Sequence, residues 1–353
     1  RVEGGLVQED ASLDHVQDLA MELQHVHVLV VQRARGRQAL GVLLLPGLLL
    51  GVWPLAPARA QLRVELTDTA RLAAPRLIEG SGVVASRTRG VFWMHNDSGD
   101  EPVLYATDAA GRDLGAIRVA GAQARDWEDI AAGPCVVAPG RCLYVADIGD
   151  NAARRQSVVI YRLAEPEPPS APEDTIRTAS VLDSIVLRYP DRPHDAEALA
   201  VTGAGLILVT TKDVGGPATL YCASASGAEV QTLRRVAPLP IRINAVAGRL
   251  VTGADVSPGD SLLAVRTYVS LHLFRLRGDS SPVPLVPARG VTLPFVEAQG
   301  EGVAFDGLDH LVLVSEAGVA TGRGTIARVR LRRPRRAVRR QARAPLAPPL
   351  GIG

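Results

Sequence analysis

Five short apolar runs, each opened by a small or acidic pair, punctuate the chain. They read Ser81-Gly-Val83-Val-Ala, Glu128-Asp-Ile130-Ala-Ala, Glu197-Ala-Leu199-Ala-Val, Ala254-Asp-Val256-Ser-Pro and Glu301-Gly-Val303-Ala-Phe. They stand 47, 69, 57 and 47 residues apart. A second apolar run follows each: Val91-Phe-Trp-Met-His95, Leu143-Tyr-Val-Ala-Asp147, Leu206-Ile-Leu-Val-Thr210, Leu262-Leu-Ala-Val-Arg266 and Leu311-Val-Leu-Val-Ser315. A third comes next, as in Val103-Leu-Tyr-Ala and Val158-Val-Ile-Tyr-Arg, and a fourth shows in places, such as Ile185-Val-Leu-Arg-Tyr189. The runs are short, rich in β-branched and aromatic residues, and bounded by Gly, Pro, Asp and Asn, so they predict strands. No segment after residue 61 sustains a 3.6-residue apolar period. Self-similarity at this spacing predicts an all-β fold: a single β-propeller with one blade per repeat.

Five openings predict five blades. Leu62-Arg-Val-Glu-Leu66 precedes the first and is placed to form the outer strand of the last, closing the ring and removing its exposed edges. The 69-residue interval is long, partly through the Pro- and Glu-rich stretch 165–171, and a sixth, degenerate blade between 172 and 195 is the alternative.

The ends stand apart from the repeats. Residues 1–60 read as an upstream segment and a secretory signal peptide. Arg33, Arg35 and Arg37 precede an apolar stretch, and Ala58-Arg-Ala60 offers a small-x-small cleavage site before Gln61. The apolar stretch, broken by Pro46-Gly47, falls short of a membrane span, so the mature protein is expected to have none. Residues 61–331 form the propeller, and 332–353 read as an Arg- and Pro-rich disordered tail. Nine arginines and no acid lie between Arg328 and Arg343, without interleaved aromatics for base stacking.

Charge narrows the function classes. Acids outnumber bases 31 to 25 between residues 61 and 327, which argues against a nucleic-acid-binding core. Cys135 and Cys142 flank a Pro-Gly-containing turn and are placed to pair across a hairpin, as export to an oxidising compartment, periplasmic or extracellular, would allow. Cys222 is left as a buried strand thiol. Lysine occurs once, at Lys212.

Glu79-Gly-Ser-Gly-Val, Leu104-Tyr-Ala-Thr-Asp, Asp126-Trp-Glu-Asp-Ile-Ala and Ile160-Tyr-Arg resemble bacterial secreted propellers of the SdiA-regulated and esterase-like phytase type. The Glu-x-aliphatic-Ala opening is also similar to that of calcium-dependent propeller hydrolases, including calcium-activated apyrases and gluconolactonase-like enzymes. In such propellers the first strand of each blade lines a central channel, with its start and the end of the second strand on one face. The resemblance implies that Glu128, Glu197, Asp255 and Glu301 reach the channel mouth as metal ligands. Ser81 takes that place in the first blade, with Glu79 two residues earlier. It brings His95, Asn96, Asp97 and Asp100, then Asp147, Asp150 and Asn151, then Lys212, Arg266 and Glu316 to the same rim.

So many carboxylates around one axis repel one another, and a hard cation would relieve them. An oxygen-only ligand set suits Ca²⁺ better than zinc. The alternative is a solvated acidic funnel without metal. On the calcium reading, the expectation is a monomer that binds a small-molecule or protein ligand at the acidic face. The alternative is a metal-dependent hydrolase of phosphoesters or lactones, with His95 or His194 moving the proton and Lys212 and Arg266 stabilising an anion. Structural, hydrogen-bonded histidines are the competing account of His95 and His194. Trp93 and Trp127 are expected in blade cores.

Overall fold

The computed structural model describes residues 62–332, apart from 173–175, 244, 279–280, 286–289, 294, 296, 298 and 318–321. The expected cleavage site and signal segment, and the tail from 333 onward, lie outside the described residues.

Five sheets stand around one axis. Their innermost strands are Gly80–Ala85, Trp127–Pro134, Ala196–Val201, Val251–Val256 and Gly300–Phe305, which define blades I to V. Each innermost strand touches those of the blades before and after it, and blade V meets blade I. The fold is therefore a five-bladed β-propeller. The only helical turn among the described residues is the 3₁₀ turn Val246–Gly248.

Period-two alternation explains the packing. Within blade I, Val83 and Met94 join Ala304 and Val314 of blade V, while Val84 and Trp93 join Ile130 and Val145 of blade II. Every blade divides its side chains between its two neighbours in this way, giving five apolar clusters, one per junction. The inner strands are therefore buried on both faces, whereas an outer strand such as Asp113–Ala120 alternates between buried and half-buried positions. Trp93 and Trp127 both lie in the cluster between blades I and II, as expected.

The ring closes as predicted. Strand Arg63–Arg71 pairs antiparallel with Thr325–Arg332 as the outer strand of blade V. Of the expected tail, Arg332 still pairs in this strand, opposite Arg63. Arg328, Arg330 and Arg332 belong to a strand and pair with Asp306, Asp309 and Glu65.

No sixth blade occupies 172–195. Strand Arg177–Ser180 runs parallel to Asp113–Ala120 on the outer edge of blade I, and Asp183–Arg188 is the fourth strand of blade II. The long interval thus reflects a chain that leaves blade II, covers the edge of its neighbour and returns. Cys135 and Cys142 form the disulfide expected across the blade II hairpin, and Cys222 is a buried free thiol. Among the described residues no helix is long and apolar enough to cross a membrane.

Candidate metal centre at the channel mouth

Strand pairing fixes which residues are equivalent. Gly80, Trp127, Ala196, Val251 and Gly300 pair with Asn96, Asp147, Thr211, Thr267 and Ser315 on the second strands, and each ladder slips immediately afterwards. The residue following each pair is Ser81, Glu128, Glu197, Thr252 or Glu301. A bulge bends the strand and re-aims its side chain. These five positions therefore form one ring at the start of the inner strands.

That register corrects the blade IV assignment. Thr252, three residues upstream, takes the place predicted for Asp255. Asp255 lies at the opposite end of the channel, beside a cavity of about 350 Å³ lined also by Val84, Gly133, Val201 and Phe305. Its carboxylate accepts the backbone N–H groups of Val256 at 2.8 Å and Phe305 at 2.7 Å. It holds blades IV and V together and does not face the mouth.

The ring divides its labour by side-chain chemistry. The Ser81 hydroxyl donates to the Glu128 carbonyl of the next blade at 2.7 Å, and the Thr252 hydroxyl donates to the Gly300 carbonyl at 2.9 Å. These two positions fasten blade junctions. The three glutamates remain, each buried. The residues just past the second-strand partners form an upper tier of Asp97, Ile148, Lys212, Tyr268 and Glu316. Asp126 and Asp195 precede the inner strands and complete the acidic mouth.

Two sets of carboxylates converge there. Oxygens of Asp97, Asp126 and Glu128 all lie within 4.8 Å of one another, as do those of Glu128, Asp195 and Glu197, and Glu128 belongs to both. Two oxygens bound to a common Ca²⁺ at about 2.4 Å can be no more than about 4.8 Å apart, and each set meets that requirement. All the donors are hard oxygens, which suits calcium. Gly149 makes room for them, since a methyl group there would overlap Glu128 Oε1 and crowd Asp126 Oδ2.

Burial without enough positive charge raises the acids. Glu128 and Glu301 are held well above the usual carboxylate range, first by burial and then by their acidic neighbours. Burial pushes Glu197 up to about 8 despite opposition from Lys212, with Asp195 and Asp97 adding to it. Burial, aided by Asp97 and Glu79, pushes Glu316 up to about 7. Asp126 reaches about 6 through burial and the charges of Asp97 and Asp195. A divalent cation would reverse these shifts by favouring the ionised forms.

Lys212 does reach the rim. Its ammonium pairs with Glu197 and donates to the Tyr268 hydroxyl at 2.8 Å. Burial works against that charge, but Glu197, Tyr268, Glu301 and Glu128 together outweigh it and keep the ammonium protonated.

The other candidates are dispersed. His95 is buried between blades I and II, with Nδ1 2.8 Å from the Asn96 carbonyl and its ring edge-on to Trp127. Burial lowers its pKa to about 4, so it is neutral. His194 sits among Tyr189, Tyr221, Asp191 and Asp213, with Nε2 3.1 Å from Asp191 and Nδ1 3.4 Å from Asp213. Arg266 is wholly buried between blades IV and V, donating to the carbonyls of Gly302 and Val314 at 2.8 Å each and pairing with Glu297. His95 and Arg266 thus lie in blade junctions, whereas His194 directly precedes the mouth residue Asp195 and touches Asp213, which follows Lys212.

Asn96 fastens the approach to blade I, accepting from Glu79 N–H at 3.2 Å and donating to the Arg76 carbonyl and the Asp100 carboxylate. Asp147 is paired with Arg155 at 2.7 Å, Asp150 accepts the Arg155 N–H at 2.6 Å, and Asn151 lies exposed in a turn.

Tyr268, at the mouth, and Asp195, as a candidate ligand, are not among the sequence-predicted residues, and Asp126 is there only within the Asp126-Trp-Glu-Asp motif. A signal existed: Asp126-Trp-Glu128 and Asp195-Ala-Glu197 share an acid-x-acid spacing, echoed by Glu79-Gly-Ser81 and Gln299-Gly-Glu301.

No protein-family model matches the chain. No curated protein matches it either. Among solved structures it is similar to the PQQ-bound aldose sugar dehydrogenase from Streptomyces coelicolor, with 14% identity over 77% of this chain and 99% of that one and a TM-score of 0.46. It is also similar to a gluconolactonase from Xanthomonas campestris, with 12% identity over 76% and 95% and a TM-score of 0.38.

Proposed function

We propose that this chain is an exported propeller that binds Ca²⁺ at its channel mouth and uses that face to hold a ligand. The observation behind this reading is the pair of carboxylate sets that share Glu128. Asp97, Asp126, Asp195 and Glu197 would complete the coordination, with open positions left to oxygens of water or ligand. The disulfide between Cys135 and Cys142 is consistent with an oxidising compartment.

Calorimetric titration of the metal-free protein with Ca²⁺ tests the reading. Saturable binding is expected, together with a rise in melting temperature, and Glu128→Gln should remove most of both. A protein that takes up no calcium, or a Glu128→Gln variant that binds as wild type does, would reject it.

A second reading is metal-assisted hydrolysis of phosphoesters or lactones at the same mouth. The specific support is the Lys212–Tyr268 donor pair beside the carboxylates, at 2.8 Å. His95 is buried and neutral at a blade junction, but Asp126 near 6 and Glu316 near 7 lie in the range a general acid or base needs. A bound cation would draw both values down. Turnover of a phosphoester or lactone panel by the calcium-loaded protein decides between the readings, and no turnover leaves the binding role.

A further inference from the structure

Lys212 and Glu301 together suggest how the mouth manages its charge. Lys212 is the chain's single lysine. Its ammonium pairs with Glu197, which is also one of the candidate metal ligands. The ammonium thus already does, from inside the fold, what an ion would do for that carboxylate. Glu301 is nine-tenths or more buried, and its Oε1 has no hydrogen-bond partner. It occupies the ring position of blade V that Glu197 occupies in blade III, and Lys212 lies within its electrostatic reach.

We infer that Lys212 is a tethered cation with two seats: Glu197 when the metal is absent, and the vacant Glu301 oxygen when the metal is bound. The inference rests on the calcium reading above and names how that site is regulated. A divalent ion on Glu197 repels a neighbouring ammonium strongly, because the low dielectric of a buried site screens the two charges poorly. The ammonium must therefore yield. Its flexible four-carbon stem permits the move. Tyr268, whose hydroxyl already accepts from Nζ, would hold the ammonium at the rim during the move. The arrangement keeps the acidic ring partly neutralised before metal arrives, and it weakens calcium binding by making the ion compete. Lys212 is a positioning residue on this account.

The single lysine makes the test direct. Protein grown with ¹⁵N-labelled lysine gives one side-chain ammonium signal. Titration of the wild-type chain with CaCl₂ should move that signal to a new position. In Glu301→Gln the same titration should fail to reach that position, and calcium should bind about tenfold more weakly. Lys212→Met should bind calcium at least tenfold more tightly than wild type, and in that background Glu301→Gln should add little further loss. Should Lys212→Met fold poorly, the labelled wild type and Glu301→Gln still decide. Calcium binding with an unmoved lysine signal, or Lys212→Met binding no more tightly, overturns the inference while leaving the metal reading intact. Absence of calcium binding overturns both.

Discussion

The carboxylate of Asp129 accepts the backbone N–H of Leu199 at 2.8 Å, across the junction between blades II and III. The same oxygen accepts the N–H of Ala254 in blade IV at 3.1 Å, and the other oxygen takes the N–H of Ile130 at 2.9 Å. One fully buried side chain therefore ties three inner strands together below the acidic mouth. Burial pushes its pKa well above the usual carboxylate range, although the three donors oppose the shift.

Asp129→Ala would leave the N–H groups of Leu199 and Ala254 buried and unpartnered. Each orphaned donor costs about 1–3 kcal/mol, so a loss of about 2–6 kcal/mol is expected. Asp129→Asn keeps an acceptor oxygen and should lose less. Urea unfolding midpoints check this, and equal midpoints for wild type and Asp129→Ala would contradict it.

The sequence revealed the propeller because burial on both faces leaves a strong apolar signal in the inner strands, as in Ala196–Val201. Outer strands lie at the surface, carry a weaker pattern and pair out of chain order. The parallel strand Arg177–Ser180 therefore could not be told from a fragment of another blade. Blade IV misled for a different reason. Its ring position holds Thr252, and the nearby Asp255-Val256 imitates the acid-aliphatic opening of the other repeats. Only strand register separates the two. Glu128, Glu197 and Glu301 were legible because they head buried strands. His95 follows the structural alternative and Arg266 lies in a blade junction, because a residue near a strand end can turn into the junction between blades as easily as toward the axis.

Asp255 should have no part in calcium binding. Asp255→Asn should leave calcium affinity within about twofold of wild type, because its carboxylate sits at the far end of the channel. Stability should fall, since one of the two backbone N–H groups it serves loses its anionic acceptor. A large loss of calcium affinity in this variant would restore Asp255 to the mouth and refute the assignment of Thr252.

The metal-free protein should be most stable on the acid side. Glu197 at about 8, with Glu128, Glu301, Asp97 and Asp195 also raised, means that the folded chain holds protons its unfolded form releases near pH 4–4.5. Stabilisation from raised acid pKa values is fully present below the unfolded values and is lost as pH climbs toward the folded ones. Melting temperature in a chelator should therefore fall between about pH 5 and pH 8. Saturating calcium should reverse the slope, because the ion binds the deprotonated carboxylates. Parallel profiles with and without calcium would show that these groups do not share the ion.

Gly149 has no positive φ, so alanine fits its backbone without strain. An added methyl group, however, would occupy the space now filled by Glu128 Oε1 and press on Asp126 Oδ2. Both contacts are the free ends of side chains, which can swing aside at little cost to the metal-free fold. They cannot swing aside and still converge, Glu128 and Asp126 with Asp97 in one set and Glu128 with Asp195 and Glu197 in the other. Gly149→Ala should therefore change the melting temperature in chelator by no more than about 2 °C, the shift expected from roughly 0.5 kcal/mol or less in a chain of this size. It should weaken calcium binding about tenfold or more, because a displaced ligand spoils both carboxylate sets at once through Glu128. Calorimetry and thermal melts on one preparation measure both quantities. Unchanged calcium affinity in Gly149→Ala would mean that the ion, if bound, does not use the Glu128 position described here.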